Sequence, residues 1–175
     1  MNAIEEAQRL LDYDNVEYLE PPLYDTLFVQ KNNPVKSLNF FTDPCGPKKS
    51  RELTNLWIPN TLPIGQSHLT QGIAINSDAP ESFYENGLLS FLVGSKCYLE
   101  VAPLSMFRRY RVKMKTIDGA DFRRNSYNPF PLNPPLMILE GMNFSIQFSW
   151  SKPQKFSRTF RVRIELLGIL FRPVV

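Results

Sequence analysis

A chain of 175 residues with 43% hydrophobic and 21% charged side chains suits one soluble domain whose core needs no staples. A net charge of +3 singles out no partner, and two cysteines without CxxC spacing, Cys45 and Cys97, call for no oxidising compartment and are expected to be free or buried as small apolar groups. Thirteen Phe and fifteen Pro against eight Gly predict many short strands joined by stiff loops, since proline is excluded from helix interiors and central strands.

The opening stretch, MNAIEEAQRLLDYDNVEYLE, is acidic and lacks the apolar core of a signal peptide, so synthesis in the cytoplasm is expected. Ile4, Ala7, Leu10 and Leu11 recur at helical spacing, with Asn2 as a cap and Glu5 at capping-box distance. Pro21 and Pro22 stop this helix. So short a helix needs a neighbour to persist, and residues 1–20 are expected to be a helical arm. It would either dock on an adjacent subunit or close one end of a sandwich. No apolar run approaches the roughly 20 residues a membrane helix requires.

Strand and turn signals fill the rest, residues 21–175. YDTLFVQ (24–30), VKSLNFF (35–41) and LTNLWI (53–58) read as strands separated by proline-bearing loops. HLTQGIAIN (68–76) is a longer strand in which Gly72 marks a bulge. SDAPESFYENG is a loop with a helical turn near 81–85. Gly94-Ser95 and Asp118-Gly119 are hairpin turns, the second following YRVKMKT (110–116). SYNPFPLNPP (126–135) holds four prolines and reads as a rigid extended crossing. NFSIQFSW and FRVRIEL then alternate strictly: Phe144, Ile146, Phe148 and Trp150 lie on one side of the first, and Arg161, Arg163 and Glu165 on the outward side of the second. Eight to ten strands without βαβ alternation predict an all-β sandwich or barrel in a single domain.

Chemistry is thinly provided. His68 is the one histidine, has no acidic residue within three positions, and is expected to be a surface or strand-end histidine. Glu100, Glu140 and Glu165 are dispersed, and neither GxxxxGK nor GxGxxG occurs. We therefore expect no enzyme, no cofactor and no metal site. The strongest charge pattern is FRRYRVKMK, which puts Arg109, Arg111, Lys113 and Lys115 on one strand face, with Arg123 and Arg124 beyond the turn. Such a hairpin suits nucleic-acid phosphate, anionic headgroups or an acidic patch on a neighbouring subunit, or it guards a sheet edge.

Three segments carry a family likeness: TNLWIPNTLPIGQSHLTQGIAI (54–75), NPPLMILEGMNFSIQFSW (133–150) and the ending FRVRIELLGILFRPVV. In these the chain resembles the single jelly-roll capsid proteins of tailless icosahedral bacteriophages with an internal membrane, and their relatives. The resemblance implies a jelly-roll β-sandwich of two antiparallel sheets, about eight strands in all. It also implies a virion subunit that forms a homo-oligomer or assembles with other coat proteins, its arm and loops touching neighbours or the inner membrane. Two other readings stay open: a ligand- or receptor-binding sandwich that uses exposed aromatics such as Tyr24 and Trp57, and a basic nucleic-acid-binding β-barrel.

Overall fold

The strict alternation near the C-terminus becomes two long strands, each at the heart of one sheet. The computed structural model describes residues 16–19, 22–94, 96–107, 111–115, 121–125 and 129–173. β10 (Phe144–Gln154) buries Phe144, Ile146, Phe148 and Trp150, and β11 (Phe160–Pro173) buries Phe160, Val162, Ile164 and Leu166. Successive side chains on a strand leave opposite faces, so Arg161, Arg163 and Glu165 are carried outward.

Around β11 lie β2 (Leu23–Val29), β4 (Ser67–Ser77) and β9 (Phe130–Ile138), in the order β2-β11-β4-β9. Around β10 lie β3 (Val35–Phe40), β5 (Gly87–Val93) and β6 (Lys96–Pro103), in the order β3-β10-β5-β6. The β5–β6 hairpin stays within its sheet; every other step along these eight strands crosses to the opposite sheet. This is the connectivity of a jelly roll, and all pairings are antiparallel. A further strand, β1 (Val16–Leu19), pairs with Leu170–Pro173 of β11 and continues the edge that β2 makes with Phe160–Leu166. The last residues of the expected helical arm are thus sheet; Ile4, Ala7, Leu10 and Leu11 lie outside the described residues.

The space between the sheets is filled with rings. Phe40 stacks on Phe148 at 4.8 Å and Phe41 on Phe144 at 5.1 Å. A four-residue helix, α1 (Glu81–Tyr84), drops Phe83 among Phe148, Trp150, Phe156 and Phe160. Its carbonyl accepts from Trp150 Nε1 at 3.2 Å, which satisfies the buried indole donor.

Gly72 does mark a bulge. The β4 register shifts between Thr70 and Gly72 against both neighbours, where β4 faces Gly168 of β11. The backbones approach so closely there that any side chain at Gly168 would collide with the Leu69 carbonyl. Val93 likewise stands opposite Lys96, the register of the expected hairpin, with Gly94 at φ +60°; Ser95 lies outside the described residues.

Two sequence readings are corrected. Residues 130–135 are not a crossing but the start of β9, whose place at the sheet edge is where Pro131, Pro134 and Pro135 can stand without a ladder donor. Residues 53–58 are not a strand. They form part of a long loop, 41–66, laid along the free edge of β2. Asn55 accepts from Tyr24 N at 2.8 Å and donates to the Pro22 carbonyl at 2.8 Å, while Thr54 Oγ1 donates to the Tyr24 carbonyl. Side chains here serve the backbone groups that a sheet partner would otherwise take.

Beneath this loop Asp25 faces the core. Its Oδ1 lies 2.5 Å from Lys49 Nζ, both side chains being buried, and its Oδ2 accepts from Phe41 N at 2.7 Å. Phe41 is itself in the left-handed region, φ 68°, an uncommon conformation for so bulky a residue. Burial raises the Asp25 carboxyl above its ordinary range, against the lowering influence of Lys49 and of the Phe41 amide.

Candidate functional site

The turns 41–66 and 139–143 and Gly94, at the end of β5, meet at one end of the sandwich. Their backbones are tied together: Asn60 N donates to the Phe41 carbonyl, Phe144 N to Asn60, Gly141 N to Leu62 and Gly94 N to Asn143. The Glu140 carboxylate accepts from Gly65 N. Asn60, Gly65, Gly94 and Gly141 have positive φ, which asparagine and glycine tolerate best.

On these turns and the strand ends beside them sit most of the large apolar side chains that stay exposed. Ile64 is 90% exposed, Trp57 54%, Ile58 43%, Leu139 37% and Leu92 36%. The Arg51 guanidinium lies 4.6 Å over the Trp57 ring and leaves half of that residue open. Between the turns is a shallow, open depression bordered by Asn60, Leu92, Gly94 and Asn143. The arrangement offers a preorganised apolar rim, with little depth in which to enclose a small molecule.

The opposite end is mainly polar and charged, with Met106 and Phe28 as its exposed apolar side chains. It collects the turns 30–34, 78–86 and 155–159, joined by hydrogen bonds such as Lys31 N to Thr159 Oγ1 and Arg161 N to Asp78 Oδ1. Here the chain leaves β6 through a 3-10 turn, Leu104–Phe107, for a separate hairpin of β7 (Arg111–Lys115) and β8 (Asp121–Asn125). The register sets Arg111 opposite Asn125, Lys113 opposite Arg123, and Val112 opposite Arg124. Arg111, Lys113, Lys115 and Arg123 therefore share one face and Arg124 falls on the other, so the expected basic group is divided. Arg109 and the 118–119 turn lie outside the described residues.

Titratable groups elsewhere are scattered. Among the described residues no three His, Cys, Asp or Glu side chains gather as metal ligands. Glu140 is spent on Gly65. Arg163 and Glu165 pair at 2.9 Å on the outward face, where the Arg163 guanidinium lies 3.8 Å over the Tyr24 ring. Cys45 is a half-buried free thiol.

His68 stands at the start of β4, the strand end expected of it, but is fully buried there and not on the surface. The β4 bulge reverses which residues face inward, turning His68 and Thr70 into the core beside Ile138 and Leu170 in register. Nδ1 lies 2.9 Å from Thr70 Oγ1, and Nε2 has no partner among the described residues.

Burial lowers the His68 pKa from 6.5 to about 4. The unfolded chain therefore takes up the proton first, and stability falls as pH drops through that window, by a total of roughly 3 kcal/mol. Asp25 acts in the opposite sense, since its raised pKa lets the folded state bind a proton earlier. Urea unfolding at pH 7 and pH 4.5 should show the loss in the parent chain and a shallower pH slope in His68→Gln. Equal slopes would remove the assignment.

The chain matches no protein-family model, no curated protein and no solved structure. The apolar rim is hidden in the sequence because LWIPNTLPIG reads as strand followed by turn. Its one available signal was Trp and Ile held in a stretch with two prolines, which cannot be an ordinary buried strand.

Proposed function

We propose that this protein is a virion structural protein: a jelly-roll capsid subunit that forms a shell with copies of itself or with a second coat protein. The observation that carries this reading is the pairing of a ring-filled sandwich with an exposed apolar rim on hydrogen-bonded turns. Rigid surfaces lose little conformational entropy on association, and a compact, blunt-ended sandwich is a shape that tiles. Apolar side chains left open on tightly held turns are the usual mark of a surface awaiting a partner.

The test is concentration-dependent assembly. Sedimentation velocity and electron microscopy of the purified chain should show discrete oligomers or shell fragments at high concentration. Ile64→Asp, which touches nothing in the core, should weaken that association at least tenfold while leaving the unfolding midpoint unchanged. A protein that stays monomeric throughout would dismiss the reading.

A second reading rests on Trp57. With Arg51 over one side of its ring, it resembles a stacking platform, which would suit a carbohydrate- or receptor-binding module. Glycan binding that disappears in Trp57→Ala, from a chain that does not self-associate, would favour it.

A further inference from the structure

We infer that the β7–β8 hairpin is a ribbon for double-stranded nucleic acid, held through the phosphates on both walls of the major groove. Among the described residues the hairpin is a two-stranded sheet of its own, paired with neither sheet of the sandwich. Its ten residues contain Arg111, Lys113, Lys115, Arg123 and Arg124 against the single acid Asp121, a net charge of +4. The whole chain carries +3, so everything outside these two strands sums to −1. The basic character of this protein therefore resides in one small element at one end.

Charge concentration alone would serve to guard a sheet edge, but the register goes further. Lys113 and Arg123 stand directly across the ladder from each other. Like charges so placed destabilise a hairpin, a cost relieved when an anion lies beside both. Guarding against stray pairing needs charges along an edge, not facing across the strands.

The shape selects among polyanions. A two-stranded ribbon fits the major groove of B-form DNA, which is about 12 Å wide and bounded by a phosphate row on each side. By register Arg124 falls on the face opposite Arg111, Lys113, Lys115 and Arg123, so a ligand that encloses the ribbon meets basic residues on both faces, whereas a flat lipid surface would meet only one. This inference does not rest on the capsid reading: a chain that never assembled could still bind a duplex, and one that assembled could fail to.

The experiment uses the full chain and a fluorescein-labelled random-sequence DNA duplex of about 30 base pairs, followed by anisotropy from 50 to 200 mM NaCl. Neutralising about four phosphates predicts roughly a hundredfold loss of affinity over that range. Lys113→Gln/Arg123→Gln should lower the logarithmic salt slope by about 2, whereas Arg123→Lys/Arg124→Lys should keep it. Lys36→Gln/Lys152→Gln, which removes exposed charges from the sandwich, should also leave it unchanged. Absence of duplex binding would overturn the inference. So would a slope lowered equally by the sandwich variant, or salt-dependent binding to phosphatidylglycerol vesicles but not to the duplex.

Discussion

Lys49→Met is expected to cost about 3 to 5 kcal/mol of stability, seen as a lower urea midpoint at pH 7. The side chain is buried and lies 2.5 Å from Asp25. Removing it leaves a carboxylate in the core with no counter-charge, and the folded state must either bear that charge or take up a proton. Desolvation already raises the Asp25 pKa with Lys49 in place, so the variant should become markedly more stable on acidification. Asp25→Asn/Lys49→Met should regain more than half of the loss, because the amide oxygen can still accept from Phe41 N. If the double variant is as unstable as the single one, the ion pair is not what holds loop 41–66 in place.

Phe83→Ala should be comparably damaging, by about 3 to 5 kcal/mol. A four-residue helix has no stability of its own, so α1 exists because Phe83 is anchored in the core. The ring lies 5.3 Å from Trp150 of β10 and 5.3 Å from Phe160 of β11, so it reaches both strands from the turn that precedes β5. Its loss would open a cavity between the sheets and loosen the acceptor for the Trp150 indole. Near-ultraviolet circular dichroism at 290–300 nm should report that loosening, and Phe83→Leu should retain about half of the stability that the alanine loses. An unchanged Trp150 signal together with an unchanged midpoint would show that the cluster packs without its centre.

The fold class was readable where one physical rule acted alone. NFSIQFSW and FRVRIEL alternate because each buries a single face, and nothing else competes for those positions. Gly72 and the 94–95 turn were readable because few residues fit such backbone geometry. The failures occur where tertiary context changed the local rule. Residues 53–58 have strand composition, yet Asn55 and Thr54 spend their side chains on the β2 edge in place of a ladder. His68 appeared exposed because the bulge beyond Thr70 reverses the inward face of β4. The prolines of β9 looked like a crossing because edge position is a property of the sheet and not of the segment. Of the candidate surfaces, the basic hairpin is legible as composition, but its division between two faces comes from the register. The apolar rim is assembled from three turns far apart in the chain, and no local pattern announces such a meeting.

Loop 41–66 covers the open side of β2, while prolines blunt β9 on the far side of the same sheet. That sheet is poorly suited to recruit a strand from another molecule and so to grow into fibrils. A lattice whose units met along that sheet would be joined through side chains that can let go, and mild changes of salt or detergent should part such a contact and leave the units intact.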